Sequence, residues 1–271
     1  MEAPPIIETK PVSRGRWLIH LILITSYILL VAVVGLIRNH PGSPALSGSA
    51  TGLLLVCGIE LGVFGVFFGL AWLASRASAD DLRLRWRGHV LPVVFGVGYS
   101  LALRIGVGVV AAMAAIVLVI TRVMGQTQLM DFVAKNRPAV ENLVDTNALQ
   151  DNPAYYWLTL TVVSFVVAGL REELWRSSFL AGMQMVWPRQ FSSRLGQICA
   201  VLIAAVIFGA AHVAMGLMAA VMAGLLGIGL GLIMVFHRSI WPAVIAHGCF
   251  DATTMAMLPW AMELMKHLPG H

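Results

Sequence analysis

Two histidines and three carboxylates in the C-terminal half of this sequence lie inside apolar stretches. Glu172 and Glu173 follow fourteen nearly uninterrupted apolar residues, His212 ends an apolar run, and His247 and Asp251 lie four residues apart. Positions four apart share a helix face, so His247 and Asp251 are predicted to project together. Imidazole and carboxylate groups act as general acids and bases, and they also bind metal ions. Because ionisable groups inside apolar spans are costly, a functional site is the first interpretation.

Two arginines flank the glutamate pair. Adjacent carboxylates repel each other in an apolar medium, and one tends to take up a proton unless cations compensate. One interpretation is that Arg171 and Arg176 only neutralise the pair where the helix leaves the membrane. The two histidines favour a functional constellation instead, because packing alone does not need them. Arg176 also lies four residues after Glu172, which predicts a contact between these two side chains.

Two further charges, Glu60 and Arg104, lie in apolar runs nearer the N-terminus. Their similar depths predict a structural ion pair between adjacent helices. Neither residue is assigned a role in chemistry.

The composition indicates whether these residues lie in a water-soluble protein or in a membrane protein. The chain has 271 residues, of which 59% are hydrophobic and 11% charged, and its mean hydropathy is +0.84. An ordinary globular chain is about 25% charged. This charge is too sparse to cover a water-facing surface, which excludes a soluble enzyme, a disordered protein and a nucleic-acid binder despite a net charge of +5.

A membrane-spanning helix needs roughly 20 apolar residues. The sequence predicts an all-α, polytopic helical bundle of about seven spans, with six to eight as the range. The connection from Arg122 to Asn152 is predicted to be a loop with one amphipathic turn. We treat 1–271 as a single membrane domain, with three spans without a motif in 1–120 and a motif-bearing core in 156–260. The seven runs are 17–37, 51–74, 90–120, 156–187, 195–215, 217–236 and 240–260.

The distribution of Lys and Arg predicts the orientation, because positively charged loops resist translocation. With a cytoplasmic N-terminus, ten basic residues fall inside and five outside. The prediction is an integral protein of the plasma membrane with its N-terminus in the cytoplasm. The inside set is Lys10, Arg14, Arg16, Arg76, Arg83, Arg85, Arg87, Arg189, Arg194 and Arg238, and the outside set is Arg38, Arg122, Lys135, Arg137 and Lys266.

Three motifs in order carry a resemblance to a known family. They are Glu172-Glu173-x-x-Arg176, Phe208-x-x-x-His212 and His247-x-x-x-Asp251. Together they resemble the signature of the CAAX-protease and bacteriocin-processing family of intramembrane proteases, also called the Abi family. The resemblance covers about 157–255, and the segment Ser239 to His247 looks like the family's usual lead-in to its last motif.

Two departures from the family pattern stand out. The family usually has three residues between Glu-Glu and Arg, followed by Gly, whereas this chain has Leu174 and Trp175 and then Ser177 after Arg176. The family's last motif often ends in Asn, and here the residue is Asp251. An ionised Asp cannot donate a hydrogen bond, so a donor role requires a protonated Asp251.

The resemblance implies a role for each motif residue. Glu172 and His212 would activate water for peptide hydrolysis, and His247 with Asp251 would stabilise the oxyanion. The implied supporting residues are Glu173, Arg176 and Phe208. The implied substrate is a membrane-associated or lipid-modified peptide or protein, with membrane lipid as the other partner and no nucleic acid.

Zinc is an alternative to metal-free chemistry. Glu172, His212 and His247 could hold a catalytic Zn²⁺ with an open water position. The chain has no HExxH motif, and the favoured mechanism requires no cofactor.

The two histidines pose a geometric condition. A whole apolar run separates His212 from His247, which puts them towards opposite membrane faces in a simple up-and-down bundle. If the two histidines belong to one site, we predict that the chain breaks within the membrane near Val213 to Leu217, or that the neighbouring helices are steeply tilted.

Two other functions compete with the endopeptidase. One is a catalytically altered membrane binding or immunity protein that retains the protease fold, which the shortened first motif favours. The other is a small transporter or proton pathway, although the chain lacks the two related halves that such a protein often shows.

Overall fold

A computed structural model describes residues 13–38, 46, 48–138, 140 and 143–266, and every regular element in these ranges is helical. Lys10, which belongs to the orientation count, lies outside the described residues. The elements are α1 (Arg14–Arg38), α2 (Ala50–Ser75), α3 (Leu91–Ile120), α4 (Gln126–Asn136), α5 (Thr146–Asp151), α6 (Pro153–Leu158), a π-helical segment (Thr159–Leu170), α7 (Arg171–Val186), α8 (Pro188–Phe191), α9 (Arg194–Ala211), a 3₁₀ turn (Val213–Met215), α10 (Leu217–His237) and α11 (Trp241–Lys266).

The all-α membrane bundle predicted from composition is confirmed. Within the described ranges, six helical stretches are long and apolar enough to cross a membrane. The seventh predicted span corresponds to α11, which packs against α3 and the π-helical segment. The six stretches are Arg14–Ile37, Ala50–Ser75, Leu91–Ile120, Pro153–Val186, Arg194–Ala211 and Leu217–His237.

The connection after α3 contains more helix than the predicted single amphipathic turn. It holds α4 and α5, and the start of each is stabilised by a local side chain. The Gln128 side chain accepts from the Gly125 backbone N–H, and the Asp145 carboxylate accepts from the N–H groups of Asn147 and Ala148. Such caps bond backbone donors that a helix start leaves unpaired, which is why short helices form here.

The helix α7 lies at the centre of the bundle, where it contacts α1, α2, α9 and the π-helical segment. Its polar residues Glu173, Arg176, Ser177 and Ser178 are fully buried. The Trp175 indole N–H donates to the Ile24 carbonyl at 3.1 Å, which links α7 to the middle of α1. The first motif is therefore carried on the most enclosed helix, while the outer helices present apolar side chains to lipid.

A π-helical segment precedes α7 directly, so the two form one continuous helix from the end of α6. Gly169 brings this segment close to α11, because a Cβ at that position would lie 3.0 Å from the Val244 carbonyl oxygen. Val244 is one turn before His247. This close approach puts the third motif beside the first, and π-helical turns frequently occur at such functional sites.

The chain breaks between α9 and α10, at the position near Val213 to Leu217, and its location within the membrane stays a prediction. The helix α9 ends at Ala211, His212 is its C-terminal cap, and a 3₁₀ turn leads to Gly216 with a φ of +105°. Because side chains strain this backbone conformation, glycine is the residue that suits the reversal. The helices α9 and α10 then pack against each other, and His212 lies at the turn between them.

Candidate active site

His247 is the centre of the site, with carboxylates on both sides of its ring. Its Nδ1 lies 3.1 Å from Glu173 Oε1. Its Nε2 lies 3.7 Å from Glu172 Oε2 and 3.6 Å from Asp251 Oδ2. Carboxylates only accept when ionised, so Nδ1–H donates to Glu173 and fixes the ring orientation. The edge of the ring that carries Nε2 is then directed at the carboxylates of Glu172 and Asp251.

Glu173 and Arg176 form a fully buried ion pair. Both side chains have 0% exposure, and the Arg176 Nη1 group donates to Glu173 Oε1. The predicted contact between Glu172 and Arg176 is therefore wrong. The two residues of the pair are three apart and face the protein interior, whereas Glu172 pairs with Arg171.

Phe208 packs among the ionic groups of the site. The Arg176 guanidinium lies 4.8 Å from the centre of the Phe208 ring, which is a cation–π contact. The same ring lies 4.5 Å from the His212 ring and 6.3 Å from the His247 ring, between centroids. Phe208 thus provides an apolar contact shared by the buried arginine and both histidines.

His212 reaches the site from the end of α9. The two histidine ring centroids lie within about 11 Å of each other, because each is close to the Phe208 ring. His212 Nδ1–H donates to the Phe208 carbonyl at 2.7 Å. Among the described residues, His212 Nε2 has no hydrogen-bond partner. The chain break thus brings His212 to the site that contains His247, as a shared site for the two histidines predicts.

Arg171 links the first motif to α2. Its Nη1 donates to Glu60 Oε2 at 2.8 Å, and its Nη2 donates to Glu172 Oε1 at 2.9 Å. The predicted ion pair between Glu60 and Arg104 is wrong, because equal depth on two helices does not fix which faces meet. The sequence interpretation gives Arg171 only a neutralising role, although its position directly before Glu172 is a signal for this bond.

Arg104 contacts α11 on both sides of Asp251. Its guanidinium donates to the Phe250 carbonyl at 2.7 Å and to the Thr253 and Thr254 hydroxyls, and it lies 4.4 Å from the Phe250 ring centre. These contacts stabilise the helix turn that carries Asp251. Sequence reasoning missed them, because threonine hydroxyls and a backbone carbonyl give no charge signal.

The zinc alternative can be compared with this arrangement of donors. In the ranges that the structure describes, no group of three or more His, Cys, Asp or Glu side chains could hold a metal ion. Glu172, His212 and His247 are therefore not gathered as a set of metal ligands in these ranges. Dependence on zinc stays a prediction for a chelation experiment, and no chemical step below is assigned to a metal.

A comparison with known protein families gives a match to the helices that carry the three motifs. The Rce1-like family, described as type II CAAX prenyl endopeptidase Rce1-like, matches residues 153–253. This segment is therefore similar to the type II CAAX prenyl endopeptidases. The matched CAAX-protease segment begins at α6 and ends two residues after Asp251, so it contains all three motifs and confirms the resemblance.

Other comparisons add no relative. The chain matches no curated protein and no solved structure at a significant level. The helices α1, α2 and α3 precede the segment that matches the CAAX-protease family. The contacts made by Glu60 and Arg104 are thus contributions from outside the matched segment.

Proposed function

We propose that the protein is an intramembrane endopeptidase that hydrolyses a peptide bond with a water activated by Glu172 and His212. One observation carries the proposal: His247 lies among the carboxylates of Glu172, Glu173 and Asp251, with His212 nearby, inside a bundle of membrane-spanning helices. The family match to CAAX endopeptidases supports the reaction class.

Glu172 and His212 are proposed to activate the water. The Glu172 carboxylate keeps Oε2 unbonded to Arg171, so this oxygen can accept a proton from water. The backbone bond of His212 occupies Nδ1–H and leaves Nε2 as the acceptor of the neutral ring. The water oxygen attacks the carbonyl carbon, the C–N bond then breaks, and the proton passes to the leaving amine.

His247 and Asp251 are proposed to stabilise the oxyanion. Since Nδ1–H donates to Glu173, Nε2 donates only when the His247 ring is an imidazolium. The nearby carboxylates of Glu172 and Asp251 would balance this positive charge. Donors that are already oriented towards developing charge contribute strongly to catalysis in a site of low dielectric.

The substrate class is proposed from the membrane setting and the family. Glu172 and Asp251 keep 15% and 27% of their side chains exposed, so a chain segment in the bilayer could reach them. We propose a membrane-associated or lipid-modified peptide or protein as substrate. The matching family is described as prenyl endopeptidases, which makes a prenylated C-terminal peptide the first probe.

The orientation is proposed from the position of basic residues. The Arg16 side chain donates to carbonyls of Leu73 and Ala74 at the end of α2, and the Ile240 N–H donates to the Arg83 carbonyl before α11. These contacts put the start of α1, the end of α2 and the start of α11 at one end of the bundle. We propose that this basic end faces the cytoplasm of a cell whose plasma membrane contains the protein.

The alternative is a membrane binding or immunity protein that retains the fold without catalysis. The shortened spacing in the first motif favours it, because Arg176 pairs with Glu173 at this spacing. The alternative and the endopeptidase differ in one measurable outcome, which is turnover of a peptide by purified protein.

The experiment uses the purified full chain in lipid vesicles. Fluorescence-quenched peptides that end in a prenylated cysteine motif are compared with unprenylated copies. We expect cleavage by the wild type, loss of cleavage in Glu172→Gln and His212→Ala, and unchanged cleavage in the exposed controls Asp131→Asn and His89→Ala. Equal cleavage by Glu172→Gln and wild type would contradict the proposal.

Metal dependence is tested in the same assay. A chelator is added to the wild type, and cleavage is followed before and after zinc is restored. The proposed metal-free mechanism predicts an unchanged rate. A loss of cleavage that zinc alone restores would replace it with the zinc alternative.

A further inference from the structure

Arg171 forms a bridge between a helix outside the matched segment and the first glutamate of the first motif. It bonds Glu60 on α2 with one nitrogen of the guanidinium and Glu172 on α7 with the other. The Arg171 side chain is 11% exposed, and Glu60 is 42% exposed. The bridge therefore runs from an accessible carboxylate, through a nearly buried cation, to the candidate base.

The bond to Arg171 distinguishes the two oxygens of Glu172. Oε1 accepts from Arg171 Nη2 at 2.9 Å, whereas Oε2 lies 3.7 Å from His247 Nε2. A carboxylate without this bond could turn about its side-chain torsions and present either oxygen in several directions. The contact with Arg171 thus selects the oxygen that faces His247.

Arg171 is itself held in place by Glu60. Glu60 lies ten residues after the first residue of α2, which is about 15 Å along the helix. A charge at such depth is costly unless it has a partner, and Arg171 is the partner seen here. Two carboxylates on the two ends of one planar guanidinium restrict its position more than either alone.

The local charges also require this cation. Glu172, Glu173 and Asp251 surround His247, and Arg176 is already paired with Glu173. Arg171 is the arginine that contacts Glu172 in the described part of the chain. Without it, Glu172 would face the other carboxylates with one charge uncompensated.

We propose that Arg171 is a positioning residue for catalysis, anchored by Glu60, which holds Glu172 with Oε2 directed at the reacting water. This inference rests on the proposed function and extends it to α2. Neither Arg171 nor Glu60 is required to touch the substrate. The role therefore predicts an effect on the rate of the chemical step rather than on substrate binding.

The test measures kcat and KM with the prenylated reporter peptide in vesicles. In Arg171→Met we expect kcat to fall by about 100-fold with KM nearly unchanged, because a misplaced catalytic group costs about that much. Arg171→Lys keeps the charge but not the two-ended geometry, so it should recover about tenfold of that loss. A normal kcat in Arg171→Met would overturn the proposal.

A double-mutant cycle tests whether Glu60 acts through Arg171. Glu60→Gln should lower kcat by several-fold, roughly three to ten times, in the wild-type background and have no further effect in Arg171→Met. Equal effects of Glu60→Gln in both backgrounds would contradict the anchoring role. If Arg171→Met does not fold, the same cycle is measured with Arg171→Lys as the second background, and a normal kcat in Arg171→Lys together with a normal kcat in Glu60→Gln would overturn the proposal.

The matched control removes a structural link between the same helices. The Ser75 hydroxyl on α2 bonds His20 of α1, which in turn contacts the Ser178 carbonyl of α7. Ser75→Ala should lower the unfolding temperature without changing kcat. If Arg171→Met behaves like Ser75→Ala, the bridge is only structural. If Glu172→Gln is inactive while Arg171→Met is normal, the proposed function survives and only this inference fails.

Discussion

The two adjacent glutamates of the first motif lie in different surroundings. Glu173 has no exposed side-chain surface and bonds Arg176 and His247. Glu172 is 15% exposed and connects through Arg171 to Glu60, which is 42% exposed. We call Glu173, Arg176 and Phe208 the closed half of the site, and Glu60, Arg171, Glu172 and Asp251 the open half.

The difference between the halves indicates that one half positions His247 and the other binds water and substrate. The closed half can fix the His247 ring and its charge, because nothing in it needs to reach substrate. The open half can bind water and substrate, because its carboxylates are accessible and only partly bonded. Two glutamates with nearly identical sequence surroundings can therefore serve structure and chemistry separately.

The largest expected effect is on the stability of the closed half. Arg176→Met leaves the buried Glu173 carboxylate without its cation, and such a loss typically costs about 3–5 kcal/mol. We expect a correspondingly lower free energy of unfolding, measured by denaturant titration in detergent. The control Arg85→Gln removes an exposed ion pair with Asp80 and should cost at most about 1 kcal/mol. Equal stability of the two variants would contradict a structural role for the closed half.

A smaller effect is expected at the turn that presents His212. Gly216 has a φ of +105°, so Gly216→Ala should cost about 1–3 kcal/mol in backbone strain. Displacement of His212 should lower peptide cleavage by about tenfold or more. Gly98→Ala is the control, because a Cβ there meets no atom within 4 Å. Unchanged cleavage in Gly216→Ala would show that the turn geometry is not needed.

The smallest effect is expected for Asp251→Asn in the open half. An amide keeps the shape of the side chain and can donate a hydrogen bond, so cleavage should remain within about tenfold of wild type. Asp251→Ala removes the group and should reduce cleavage further. Similar loss in the two variants, seen in the same peptide assay, would mean that the carboxylate itself is required.

The motif residues could be predicted from the sequence because charge is rare inside apolar runs. Glu172, His212, His247 and Asp251 are prominent for that reason, and the fold class follows from the same scarcity. A chain break after His212 is one of the two arrangements that would bring the histidines together, the other being steeply tilted helices. These are properties of residue type and order along the chain.

The pairing of the charges could not be predicted in the same way. Helical spacing allows Arg176 to contact a residue three or four positions earlier. The observed partner is Glu173, which is buried together with Arg176. Depth along a helix does not give the direction of its side chains, so the predicted pairing of Arg104 with Glu60 is wrong. The π-helical segment depends on packing against α11, which no local pattern of residues encodes.

A side-by-side measurement of Glu172→Gln and Glu173→Gln tests the central claim most directly. Each purified variant is assayed for cleavage of the prenylated peptide and for its free energy of unfolding. We predict that Glu172→Gln loses at least about 100-fold in cleavage while its stability stays close to wild type. Glu173→Gln should be strongly destabilised, because Arg176 is left buried without its counter-charge. Retained cleavage in a folded Glu172→Gln variant would contradict the account.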